Sequence, residues 1–136
     1  MRLFILLTTL LTLVPAIIVG MAGDAEASGF TAQEIRSDII GHRVYLAAPF
    51  GGEFPLNYRS GGQVDGDGTA TGFVGRMAQP KDTGRWWIDG NRLCQQFREW
   101  YNGSPMCFEL TRTGDRTLRW VRDNGESGTA RIGGRI

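Results

Sequence analysis

The sequence predicts a mainly β domain: an antiparallel meander of about seven or eight strands, forming a curved sheet or small barrel, with a short N-terminal helix and one disulfide. Three observations predict it. Apolar and polar residues alternate in short runs, as Val44 and Leu46 do against Arg43 and Tyr45, which is the period of a strand with one buried face. Turn chemistry built on 20 glycines separates those runs. Cys94 and Cys107 are the only cysteines, and an isolated even pair in an oxidising compartment forms a single bridge.

The compartment is read from the first residues. Arg2 precedes an apolar run from Leu3 to Ala22, and Ala25-Glu26-Ala27 stands before Ser28. This is the order of a secretory signal with a small-residue cleavage site, interrupted by Pro15. Residues 1–27 are expected to be the signal and residues 28–136 a single β-rich domain. The alternative keeps residues 3–22 as an anchor, because roughly 20 apolar residues suffice to span a bilayer. Both place the domain outside the cytoplasm: free in the periplasm, or anchored to the inner membrane and facing it. Without residues 1–27 the formal charge moves only from +1 to +2. Bulk charge therefore implies neither nucleic acid nor an anionic membrane surface as partner.

The elements follow in order. Thr31-Ala32-Gln33-Glu34 fits a capping box, Phe30 and Ile35 fit a hydrophobic staple, and Gly41 supplies the stop of a short helix. The period then changes to two. Val44 and Leu46 form one run, and Phe54, Leu56 and Tyr58 a second, where Pro55 predicts an edge strand or bulge. Gly61-Gly62 and Asp65-Gly66-Asp67-Gly68 are turn chemistry, with a further strand expected from Thr69 to Val74. Arg85 to Ile88 leads into Asp89-Gly90-Asn91, the strongest short hairpin signal in the chain. Pairing Cys94 with Cys107 sets Leu93 opposite Phe108 and Gln95 opposite Met106, so the bridge and the hydrophobic pattern select one register. A two-residue loop at Gly114-Asp115 would set Leu118 opposite Thr111 and Trp120 opposite Glu109. A three-residue loop centred on Gly114, the one expected, pairs Leu110 with Leu118 and Phe108 with Trp120. A last hairpin turns at Asn124-Gly125.

No catalytic constellation emerges. His42 is the only histidine, so neither a metal site nor a histidine-activated nucleophile has partners. Asp65-Gly66-Asp67-Gly68 starts like a calcium loop, but Ala70 and Arg76 occupy the glycine and glutamate positions. Glu99 and Glu109 cannot be placed against each other as a catalytic pair. Asn102-Gly103-Ser104 is formally a glycosylation sequon, which a bacterial-looking signal makes irrelevant. The sequence calls for no cofactor or metal. The binding candidates are Trp100 and Tyr101 at a predicted hairpin tip, the neighbouring Arg98, and Trp87 on the face opposite Trp86 and Ile88. Aromatic residues there either fold back over the sheet or contact a partner.

The capped helix Phe30-Thr31-x-x-Glu34-Ile35, the stretch from Gly84 through Trp86, Trp87, Asp89 and Gly90 to Leu93 and Cys94, and the Cys107-Phe108-Glu109-Leu110 run together resemble a group of small exported proteobacterial proteins classed as a domain of unknown function. The likeness covers nearly all of residues 28–136. It implies an envelope location and a β-rich fold, and it carries no catalytic residues. The expected function is a periplasmic, non-catalytic binding or accessory protein whose partner is an envelope protein or a small ligand. Membrane contact is expected only if residues 3–22 are retained. One alternative is a membrane-anchored accessory subunit of a membrane protein complex. Another is a small carboxylate-dependent enzyme in a β-barrel, which requires two buried acids converging on one pocket.

Overall fold

A computed structural model describes residues 28–48, 51–69 and 80–136. Eight antiparallel strands close into a barrel in sequence order. They are β1 (His42–Ala47), β2 (Glu53–Tyr58), β3 (Gln63–Asp67), β4 (Lys81–Asp89), β5 (Arg92–Phe97), β6 (Met106–Arg112), β7 (Thr117–Arg122) and β8 (Ser127–Arg135). Closure is made by β1 and β8, where Val44 pairs with Ile132 and Leu46 with Ala130. The expected signal at residues 1–27 lies outside the described residues. Among those described, no helix is long and apolar enough to cross a membrane.

A short helix, α1 (Ala32–Glu34), widens into a π turn over Ile35–Ile39. The capping box forms as expected: Glu34 N–H donates to Thr31 Oγ1 at 3.2 Å, and Thr31 N–H to Glu34 Oε2 at 2.8 Å. A helix this short does not persist by itself. It is held by burying Ile35 and Ile39 together with Phe30 under one end of the barrel, each contributing about 2 kcal/mol. Phe30 N–H donates to Leu110 O at 2.8 Å, and Ala32 N–H to Asn91 Oδ1 at 3.0 Å. The Arg112 guanidinium lies 4.4 Å over the Phe30 ring and pairs with Asp38 at 2.6 Å.

Parity decides the interior. Val44, Leu56, Val64, Leu93, Met106, Leu110, Leu118 and Ala130 are buried in one hydrophobic core, with Trp86, Ile88, Phe108 and Trp120 packed against it. The disulfide joins Cys94 and Cys107 in directly opposed positions, Cα atoms 4.0 Å apart. Leu93 faces Phe108 and Gln95 faces Met106, the register expected from the sequence. Asp89 pairs with Arg92 around a two-residue Gly90-Asn91 loop with Gly90 at φ +60°, the backbone that glycine at the first loop position permits.

Three expectations are corrected. Asp65-Gly66-Asp67 is strand β3, not a turn. The turn before it uses Gly61 and Gly62, with Gly62 at φ +94° and Arg59 N–H donating to Gln63 O at 2.9 Å. Gly66 serves packing: a Cβ there would lie 2.4 Å from Trp100 Cζ3 and 2.8 Å from Leu56 Cδ2. The strand expected from Thr69 to Val74 lies outside the described residues beyond Thr69. The β6–β7 loop has odd length, but it is centred on Asp115, so Leu110 pairs with Trp120 and Arg112 with Leu118. Thr113 N–H donates to Thr117 O at 3.0 Å and their hydroxyls meet at 3.1 Å, which locks that closure. The shift of two residues preserves which face each side chain takes. Lastly, a closed barrel has no edge strand, yet Pro55 is accommodated: it pairs with Tyr45, just beyond the last β2–β3 pair, Leu56 with Gly66.

Candidate functional site

The end of the barrel opposite the helix is built by the β5–β6 connection. Asp82 is the buried acid among the described residues, at 8% exposure. Its Oδ2 accepts Glu99 N–H and Trp100 N–H, each at 2.8 Å, and its Oδ1 accepts Thr83 N–H at 2.8 Å. The carboxylate thereby fixes the chain as it leaves β5. Trp100, 7% exposed, folds into the barrel end. Its ring lies 5.0 Å from Phe97 and meets Phe54 edge-on at 6.2 Å, in the space Gly66 leaves.

The next residues are strained. Tyr101 (φ 57°, ψ 32°) and Asn102 (φ 55°, ψ 30°) both take the left-handed backbone, followed by Gly103 at φ +65°. Such a conformation is disfavoured by about 1–2 kcal/mol for each side-chain-bearing residue. It is held from both sides, by Asp82 before it and by Gln96 Nε2 donating to Gly103 O at 2.8 Å after it. Tyr101 is 47% exposed, and its ring lies 5.5 Å from the Arg122 guanidinium. Burial of the phenol pushes its pKa up, against the Arg122 charge.

Beneath Tyr101 the barrel holds a cavity of about 60 Å³. Its wall is mostly apolar, with Leu46, Leu93, Met106, Phe108, Leu118 and Ala130 among its residues, and it reaches the rim at Tyr101, Arg122 and Glu126. Besides Tyr101 and Glu126 at the rim, the side chains of Tyr58, Gln95, Trp120 and Arg122 bring polar atoms to it. Tyr58 O–H donates to Gln95 Oε1 at 2.7 Å. Burial pushes the Tyr58 phenol far above its ordinary value. Among the described residues Gln95 Nε2 finds only the Met106 sulfur, at 3.9 Å, a weak acceptor. Trp120 Nε1 and Arg122 Nε are buried with no hydrogen-bond partner among the described residues. Arg122 meets Asp123 as an ion pair at 3.8 Å and Glu126 at 3.3 Å. A buried donor left without an acceptor destabilises a fold by about 1–3 kcal/mol. Its presence in a native interior asks for an explanation, such as an ordered water or a ligand.

The residues singled out from sequence separate. Trp100 is buried and offers no surface to a partner, whereas Tyr101 is exposed at the rim. Trp87 lies on the outer wall beside Cys94, its cross-strand neighbour, with the Arg85 guanidinium 4.8 Å over its ring. Arg98 is exposed and lines two outer grooves. These four residues therefore do not form one site. Glu99 and Glu109 are both exposed, so a paired-carboxylate centre is not formed among the described residues. Asp89, Cys94 and Cys107 lie close together, but sulfurs bonded to each other provide no thiolate ligand. The sequence reading missed Gln95, Trp120 and Arg122. A tryptophan and an arginine spaced by two on an apolar-faced strand were the available signal. The chain matches no family model, no curated protein and no solved structure.

Proposed function

We propose that this is an exported, non-catalytic binding protein that takes a small ligand into the interior of its barrel through the Tyr101 rim. Eight strands give a barrel whose interior either fills with side chains or keeps room for one small ligand. The carrying observation is the cavity itself: an apolar chamber with buried N–H donors that find no oxygen acceptor among the described residues. An interior evolved only for packing closes such space and satisfies such groups. The disulfide supports work outside the cytosol, and the periplasm is the proposed location.

At about 60 Å³ the chamber is smaller than the roughly 150 Å³ void that takes up benzene. A short alkyl chain that leaves its head at the rim needs less of this space than a ring buried whole, and a ligand enclosed entirely requires Tyr101 to move. The test is calorimetric titration of the purified, oxidised protein with hexan-1-ol, beside Ala130→Val, which fills the chamber. Saturable heat in the wild type that disappears in the folded variant is the expected result. Absence of saturable binding by any short-chain alcohol or acid sinks the reading. Release of the protein by osmotic shock is expected for a soluble periplasmic form.

A further inference from the structure

We propose that the ligand is a small unbranched amphiphile with a carboxylate head, seated tail inward with the head against Arg122; this rests on the small-ligand reading and narrows it. Among the described residues, the buried side-chain atoms on the cavity wall that find no partner are both N–H donors, Trp120 Nε1 and Arg122 Nε. Arg122 ends β7, and Trp120 lies two residues back on the same face of the strand, so the two donors follow one another inward from the rim. Trp120 Nε1 and Arg122 Nε are buried and without a hydrogen-bond acceptor among the described residues, while Arg122 Nη1 donates to Glu126 Oε2 at 3.3 Å. Gln95 adds a third N–H, satisfied only by sulfur. The wall also carries the Glu126 carboxylate at its rim and the Gln95 amide oxygen, but the latter already accepts from Tyr58 and the buried groups left unsatisfied are donors, so they select a ligand that accepts.

Charge narrows the choice from any acceptor to an anion. The Arg122 side chain is only 16% exposed, while its partners Asp123 and Glu126 are 44% and 64% exposed and stand 3.8 and 3.3 Å away. Long, solvated pairs of this kind hold weakly. An entering carboxylate replaces them with closer, charge-assisted hydrogen bonds in a drier setting, where guanidinium recognition of a carboxylate is strongest. The apolar floor at Leu93, Phe108 and Leu118 takes the alkyl tail. Tyr101, lining the cavity in a strained backbone over Arg122, covers the head.

The experiment compares hexanoate with hexan-1-ol, matched in tail and different in head, by calorimetry on the purified oxidised protein. Hexanoate is expected to bind about tenfold more tightly or better. Arg122→Met should erase that advantage and leave the alcohol within about twofold. Arg122→Lys keeps the charge and loses the Nε donor, and should retain only part of the advantage. Glu126→Gln removes the competing carboxylate and should strengthen hexanoate binding a few-fold. Equal affinity for acid and alcohol would overturn the inference and assign the donors to water, leaving the small-ligand reading in place. Hexanoate affinity that survives Arg122→Met overturns it too. Failure of both probes to bind removes the underlying reading instead.

Discussion

The two ends of this barrel are closed by opposite means. At the helix end, α1 and its π turn bring an N-cap that is fully bonded, three buried apolar side chains, and an ion pair from Arg112 to Asp38. Ile136 is tied there too, its N–H donating to Gly41 O at 3.0 Å. At the rim, two consecutive non-glycine residues are left-handed, an aromatic residue is half exposed, and buried donors lack acceptors among the described residues. Where local rules are obeyed throughout, the element serves stability. Where several are broken within a few residues, the strain marks a place kept for something else.

The sharpest way to break this contrast is through Trp100, which sits at the rim yet belongs to the core. Trp100→Ala should reduce stability by about 3–5 kcal/mol in urea unfolding, because its ring fills most of the space over Gly66, beside Leu56. A loss below about 1 kcal/mol would show that the rim is loosely packed throughout and that the barrel is held from the helix end alone. The next effect concerns the wall both ends share. Reducing the Cys94–Cys107 bridge should lower stability by about 3 kcal/mol, with hexanol affinity retained at temperatures where the fold persists, since the sulfurs lie outside the cavity lining.

A pH experiment tests the interior between the ends. The Tyr58 phenol is neutral in the fold, and burial raises its pKa above the unfolded value of about 10. The folded state therefore holds that proton more tightly. Its contribution to stability is complete below about pH 10 and is lost as pH rises toward the folded value. The wild type should unfold more readily with alkali, and Tyr58→Phe should show a flatter stability profile above pH 10 by circular dichroism. Identical profiles would place the alkaline sensitivity elsewhere. The smallest effect lies in the strained turn. Asn102→Gly should stabilise by up to about 1 kcal/mol by removing the Cβ penalty of a left-handed residue. Loss of stability instead would mean that the Asn102 side chain supports the rim.

Much of the fold is legible in the residues because it is set locally. The capping box needs only Thr31 and Glu34, the hairpin only Gly90, and the alternation of Leu93, Gln95 and Phe97 against Met106, Phe108 and Leu110 fixes which side faces inward. The cysteine pair then fixes one register. The site was much less legible. Trp100 and Tyr101 are adjacent, yet one is core and the other is surface, a division made by Asp82 reaching across from β4. Asp65-Gly66-Asp67 carries turn composition and forms a strand, because tertiary packing against Trp100 outweighs local preference.

By itself, the sequence determined the strand period, the helix cap, the disulfide partners and the face each side chain takes. These depend on neighbours within a few residues or on a single covalent link. Only the tertiary structure decided that the meander closes, that Trp120 and Arg122 meet one cavity, and that their donors find no acceptor among the described residues. Closure depends on β1 finding β8, and even the sequence-nearest pair across that seam, Leu46 with Ala130, is 84 residues apart in the chain, beyond the reach of any local signal.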